Sequence, residues 1–297
     1  MIAVRTIAGL RAELKPRRAS RQTIGLVPTM GAFHEGHLSL MRRARERCDC
    51  VVVSLFVNPA QFAPGEDLAA YPRDETRDAA LAEREGVDVL FAPPLEEIYP
   101  AAAGTTVTVA GLTASLEGER RGAAHFDGVI TVVAKLFNIA APDVAFCGQK
   151  DAQQALVIRR MARDLDFPVE IEVCATVREP DGLAMSSRNA YLRDDERERA
   201  LSLSRALRGA EEAIAAGATD PDAVATTARA LMAAHDVQPE YFEIVEPDTL
   251  APVAAIDGEV LLAVAARVGR ARLIDNAIVR APAHTAQTPT QEMACNA

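Results

Sequence analysis

Two imidazoles three residues apart, His34 and His37, stand in the run Pro28-Thr29-Met30-Gly31-Ala32-Phe33-His34-Glu35-Gly36-His37-Leu38, between an apolar stretch and a helical pattern with Leu38, Met41 and Ala44 on one side. At a helix start they face the same way. Free N–H groups and the positive dipole end favour an anion there, and Gly31 and Gly36 let the backbone approach it, so the segment suits a phosphate chain. Spacing alone also fits a metal half-site or a pair of satisfied surface histidines, although no nearby Cys, Asp or third His completes a metal set.

Two more segments carry usable charge. In Phe146-Cys147-Gly148-Gln149-Lys150-Asp151-Ala152-Gln153-Gln154, where a strand turns into a helix, Lys150 offers a point charge to a phosphate and Asp151 can accept from ribose hydroxyls. Taken alone, the run reads equally well as a capping Asp beside a solvated Lys. The loop Asp181-Gly182-Leu183-Ala184-Met185-Ser186-Ser187-Arg188-Asn189 holds two hydroxyls and a guanidinium. It is suited to closing over a triphosphate, with Arg188 neutralising a leaving group, or to serving as a flexible linker. GxxxxGK[ST] and GxGxxG are absent, and no Ser, Cys or His sits in a nucleophile elbow. The chemistry that fits is positioning and charge neutralisation, as in phosphoryl and nucleotidyl transfer.

The elements that must position these residues alternate short β-branched runs with helical periodicity between 23 and 178, the grammar of a parallel sheet with crossover helices. Candidate strands are 23–28, 51–57, 87–91, 144–147 and 169–177, the last alternating as an edge strand would. A helix is written by Val129, Val132, Val133, Leu136, Phe137 and Ala140. Ligands in such sheets lie beyond the carboxyl ends of the strands, which points to 28–37, 58–62, 147–154 and 178–188. After 190 come a charged helix to about 216, a helix after Pro221 and strand-like runs at 241–245, 260–265 and 272–279. The reading is an α/β protein with a Rossmann-like parallel-sheet domain over 1–178, a smaller C-terminal α+β domain over 179–282, and a tail over 283–297 expected to be disordered. The expected hinge is Glu179-Pro180-Asp181-Gly182.

Length and charge narrow the class. A chain of 297 residues with 49% hydrophobic content is expected to form about two domains. With 32 Lys+Arg against 42 Asp+Glu the net charge is −10, which argues against nucleic-acid or membrane-surface partners and requires any anion to be met locally. Five Cys without a CxxC pair fit neither a disulfide framework nor a zinc site, and Cys48, Cys50, Cys147 and Cys174 read as reduced core thiols. The N-terminus lacks a long apolar signal region and no stretch approaches about 18 continuous apolar residues, so the cytoplasm is the expected compartment.

Together these segments resemble the pantothenate synthetase (pantoate–β-alanine ligase) family of the His-x-Gly-His nucleotidyltransferase superfamily. The resemblance rests on VPTMGAFHEGH at 27–37, SLFVNPAQF at 54–62, YPR at 71–73, HFDGV at 125–129, VAKLFN at 133–138, the Gly-x-Lys-Asp-x-Gln-Gln run at 148–154 and DGLAMSSRN at 181–189. It implies ATP-driven amide formation between pantoate and β-alanine through a pantoyl adenylate, with ATP as substrate, Mg2+ on its phosphates, a C-terminal lid domain and a homodimer. Carried over residue by residue, it implies that Met30, Gly31, Ala32, Phe33, His34, Glu35, Gly36 and His37 form the phosphate segment, with His37 as proton donor. Gly148, Gln149, Lys150 and Asp151 form the nucleotide segment, with Lys150 on phosphates and Asp151 on the ribose. Val177 meets adenine by its backbone, and Met185, Ser186, Ser187 and Arg188 close over the site. Gln61 and Gln154 hold pantoate by their amides, Asn58 and Arg121 are further substrate-binding residues, and Asp78 is a candidate magnesium ligand.

The sequence departs from the family pattern at Gln149, where Glu is common, at Ala152, where an aromatic is common, and at Arg120-Arg121-Gly122-Ala123-Ala124-His125, which replaces Arg-Pro-x-His. Arg121, in preference to Arg120, is expected on the β-alanine carboxylate. Two rival readings are a related nucleotidyltransferase activating another acid and a non-catalytic nucleotide binder. The neutral amides of Gln61 and Gln154 disfavour a phosphate-ester substrate, and the cationic set His34, His37, Lys150 and Arg188 disfavours a mere binder.

Overall fold

The computed structural model describes residues 1–63, 65–66 and 68–282, so the expected tail at 283–297 falls outside the described residues. Five strands, β1 (Ile2–Val4), β2 (Ile24–Thr29), β3 (Cys50–Leu55), β4 (Val89–Phe91) and β5 (Val144–Gly148), join β6 (Glu170–Cys174) in one parallel sheet of order β1-β4-β3-β2-β5-β6. The run Cys50 to Val53 is wholly buried, as befits a central strand covered on both faces. Around the sheet lie α1 (Ile7–Ala19), α2 (Glu35–Arg47), α3 (Glu75–Arg84), short α4 (Leu95–Ile98) and α5 (Glu117–Arg121), α6 (Ala123–Ala140) and α7 (Ala152–Asp164). Strand order reverses between β2 and β5, and the crevice beyond their carboxyl ends is where ligands bind in such folds.

The periodicity of the 129–140 stretch is realised in α6, which starts earlier, at Ala123. By length and apolar character it would suffice to cross a membrane, yet 72% of it is buried inside the protein. A glycine at 128 is required by packing, since a Cβ there would stand 2.2 Å from the Ala60 carbonyl oxygen. β6 is an edge strand, as its alternation predicts. The opposite edge, β1, has only three residues, too few for periodicity to register.

The C-terminal part is the predicted α+β unit: α8 (Asp194–Ala215), α9 (Pro221–Ala233) and the antiparallel sheet β7 (Pro239–Val245), β8 (Glu259–Val268), β9 (Ala271–Arg280). It has its own core around Leu203, Leu207, Phe242 and Val264. Val245, Leu250, Leu261 and Ala263, however, belong to the same buried cluster as Leu10, Phe126 and Ile158, so apolar packing runs continuously across the 178/179 division. Cys48, Cys50 and Cys147 are buried free thiols and Cys174 is half-buried.

The expected hinge is a braced hairpin. Gly182 donates its N–H to the Glu179 carbonyl and Met185 donates to that of Val177 at 2.9 Å, Arg178 and Ala184 form an antiparallel bridge, and Arg197 of α8 pairs with both Glu179 (2.5 Å) and Asp181 (2.7 Å).

Candidate active site

The site begins where β2 ends. Gly31 (φ +87°) and Ala32 (φ +54°) both adopt the left-handed conformation, costly for Ala but easy for Gly, and this turns the amides of Ala32 and Phe33 onto buried Asp78 of α3. Asp78 accepts both, at 2.7 Å and 2.8 Å. His34 caps α2, its Nδ1 accepting from the Gly36 N–H at 3.2 Å, while the His37 Nδ1 accepts the His34 N–H at 3.4 Å. The rings lie 4.2 Å apart. A Cβ at position 36 would stand 2.9 Å from His34 Cε1, so the glycine between the histidines makes room for the first ring.

Burial, reinforced by Lys150, pushes the His34 imidazole down to about 4, and burial reinforced by His34 pushes His37 down to about 3. Both rings are therefore neutral near pH 7. Because each Nδ1 is an acceptor, each neutral ring carries its proton on Nε2, leaving one donor per ring.

After β3, Asn58 opens a 3-10 turn over Pro59–Gln61. Its buried amide donates to the Gln61 Oε1 and the Gly128 carbonyl, both at 3.0 Å, and accepts from the Tyr99 hydroxyl at 3.0 Å. Gln61 is thereby oriented, its Nε2 3.2 Å from the Met30 sulfur. A further chain runs through His125, whose Nδ1 lies 2.7 Å from the Gln61 carbonyl and must be the donor there. Its Nε2 is left to accept from Arg121 at 3.0 Å, and Arg121 forks onto Glu66 at 2.9 and 3.1 Å.

On the far side, β5 delivers Gly148 to a 3-10 turn over Gln149–Asp151. Lys150 is one-fifth exposed, its Nζ 3.6 Å from Asp151 Oδ1. β9 reaches across to this turn: Asn276 donates to the carbonyls of Gln149 and Lys150 at 2.9 Å each and accepts from the Gln149 side chain at 2.9 Å. Next to it, Asp275 takes a forked pair from Arg178 at 2.6 and 3.0 Å. Ser186 caps the short turn Ser187–Tyr191 that carries Arg188.

These segments enclose one cavity of about 280 Å3. Of the residues singled out in the sequence, the structure brings Met30, His34, Gly36, His37, Asn58, Gln61, Arg121, Gly148, Lys150, Asp151, Gln154, Val177, Met185, Ser186, Ser187 and Arg188 to its wall. The others stand elsewhere. Glu35 pairs with Arg42 outside the cavity, Phe33 is buried in the core against the His37 ring at 5.5 Å, and the Ala32 and Phe33 amides are turned to Asp78. Gln149 faces Asn276. Asp78, the candidate magnesium ligand, lies off the cavity wall and braces the 31–33 turn with one backbone amide on each carboxylate oxygen. Asn58 reaches the wall, but its amide is committed to Gln61, Gly128 and Tyr99. Arg120 donates to the Glu240 carbonyl at 2.9 Å, away from the wall.

Sequence reading missed Glu66, His125, Asp275 and Asn276 as parts of the site, together with Glu117. Glu117 accepts a fork from Arg272 at 2.6 and 2.8 Å and the Tyr241 hydroxyl at 2.7 Å. Only His125, inside a motif already noted, offered a signal. Among the described residues no group of three or more His, Cys, Asp or Glu is placed to hold a metal ion.

A family model described as pantoate-beta-alanine ligase matches residues 2–278. The pantothenate synthetase of Pelotomaculum thermopropionicum is 52% identical over 280 residues, covering 94% of this chain and 99% of its own. That of Roseiflexus castenholzii is 52% identical over 282 residues, covering 95% and 100%. Among solved structures, the pantothenate synthetase of Thermus thermophilus superposes with TM-score 0.86 at 47% identity, over 93% of this chain and 99% of that one. A pantoate-beta-alanine ligase from Francisella tularensis, complexed with beta-gamma ATP and beta-alanine, gives 0.76 at 32% identity, over 94% and 97%.

Proposed function

The chain belongs to the pantoate–β-alanine ligase family, and from that premise we propose that its cavity makes pantothenate through an acyl adenylate. A carboxylate oxygen of pantoate attacks the α-phosphorus of ATP, the bond to the bridging oxygen breaks and pyrophosphate leaves. The amine of β-alanine then attacks the acyl carbon and loses a proton, and AMP departs with the oxygen that pantoate brought.

The observation that carries this reading is the single cavity in which the His34 and His37 donors, Lys150 and the Arg188 turn share walls with Gln61 and Gln154. The first four stabilise charge building on the phosphates, the neutral His37 ring as a hydrogen-bond donor through Nε2–H to the leaving group rather than as a source of a proton. The two glutamines present neutral amides to the hydroxyls and carboxylate of pantoate. Asp151 takes the ribose, Val177 the adenine, and Arg121 the β-alanine carboxylate, which would replace Glu66 on its guanidinium fork. Family membership and the Francisella relative's complex support ATP and β-alanine as ligands. With no protein cluster to hold it among the described residues, magnesium would arrive on the nucleotide's phosphates, as this cation prefers, and no step is assigned to it. Residues 179–282 acting as a lid, a homodimeric state and a cytoplasmic location belong to the same reading and are supported by the family alone.

ATP–pyrophosphate exchange without β-alanine tests the proposal. Exchange that depends on pantoate is expected. Exchange that ignores pantoate but responds to another acid would assign the cavity to a different substrate, and no exchange with any acid would make the protein a binder.

A further inference from the structure

We infer that Asn276, from the C-terminal sheet, is a positioning residue for Lys150. The inference rests on the reading above, in which Lys150 acts on the triphosphate. Asn276 is buried, at 4% exposure, and every hydrogen of its amide is used: two donated bonds of 2.9 Å hold the carbonyls of Gln149 and Lys150. Its Oδ1 accepts from the Gln149 Nε2, which fixes the amide orientation, since the reverse placement would set oxygen against two carbonyl oxygens. The turn bearing Lys150 has no side-chain cap of its own at Gly148 or Asp151. Its main chain is gripped by the other half of the molecule.

The neighbouring residue extends the grip. Asp275 accepts the Asn276 N–H at 2.8 Å and the Arg178 fork, and Arg178 also donates to the Gly182 carbonyl at 3.2 Å in the hairpin that leads to Ser186 and Arg188. One dipeptide step of β9 thus ties together the two walls that carry Lys150 and Arg188. Displacing a positioned group by about 1 Å is enough to cost on the order of 10²-fold in rate.

A double-mutant cycle tests this on the full-length chain, measuring pantoate-dependent ATP–pyrophosphate exchange and thermal melting. Asn276→Ala is made in the parent and in Lys150→Ala, and Asn276→Leu, of similar volume but without polar atoms, carries the test should the alanine variant fail to fold. We expect the exchange rate to fall on the order of 10²-fold in the parent, the KM for pantoate to stay within about twofold, and the fall in the Lys150→Ala background to shrink to about twofold, because residues acting as one unit are not additive. An equal fold-loss in both backgrounds, or an unchanged rate in the parent, overturns the inference. A parent without pantoate-dependent exchange would instead overturn the functional reading beneath it.

Discussion

The neutral state of His34 and His37 shapes what the cavity can do. Rings held at about 4 and about 3 by burial and by neighbouring Lys150 and His34 add no positive charge near pH 7 and offer an anion two N–H donors, beside Lys150, Arg121 and Arg188 on the same wall. Removing Lys150 deletes one preorganised contact to developing charge, so Lys150→Ala should slow pantoate-dependent exchange on the order of 10²-fold, and near-normal exchange in that variant would refute its role. The histidines also link stability to pH. Their folded values lie below the unfolded one, so the unfolded chain binds protons first as pH falls. Their contribution is complete above about pH 6.5 and is lost progressively as pH drops towards about 4 and then about 3. Melting temperatures between pH 7 and 4 should fall, and the fall should be smaller in the His34→Gln/His37→Gln double variant.

At the scale of elements, the sharpest dependence is of the 31–33 turn on α3. Two consecutive left-handed residues leave the Ala32 and Phe33 amides pointing at one buried carboxylate, so Asp78→Ala strands both donors. We expect a loss of about 2–6 kcal/mol in urea unfolding, at roughly 1–3 kcal/mol for each of the two unsatisfied groups, with weaker ATP binding. Much of this level is legible in the sequence: the β-branched runs mark β2 to β6, and the strand-to-helix turns mark the loops that meet at the cavity. Local patterns cannot show long-range partners. Asp78 reads as one acidic residue among several at a helix start, and Pro-Asp-Gly at 180–182 signals a turn without revealing that Arg197 clamps it. Asp275 and Asn276 read as polar positions of a strand until β9 is seen to lie over the Gln149–Lys150 turn. Nor does the adjacent pair Arg120-Arg121 reveal that α5 turns Arg121 to the cavity wall and sends Arg120 to the Glu240 carbonyl.

Across the whole molecule, the two sheets share apolar packing and polar ties, among them Asn276 to the nucleotide turn and Arg272 to Glu117. The second is a nearly buried ion pair, side chains 19% and 10% exposed. Arg272→Ala takes both guanidinium bonds from Glu117, leaving it the Tyr241 hydroxyl among the described residues, and should cost about 3–5 kcal/mol, measured by denaturant unfolding as a single transition because the cores are continuous. Two separate transitions would mean that the C-terminal part folds independently of the site it completes. The central claim, that pantoate is activated on phosphorus within this cavity, is tested most directly by following oxygen. With pantoate labelled by 18O in its carboxylate, complete turnover with ATP and β-alanine should place one labelled oxygen in AMP and none in pyrophosphate. Unlabelled AMP, or label in the pyrophosphate, would contradict the acyl-adenylate route.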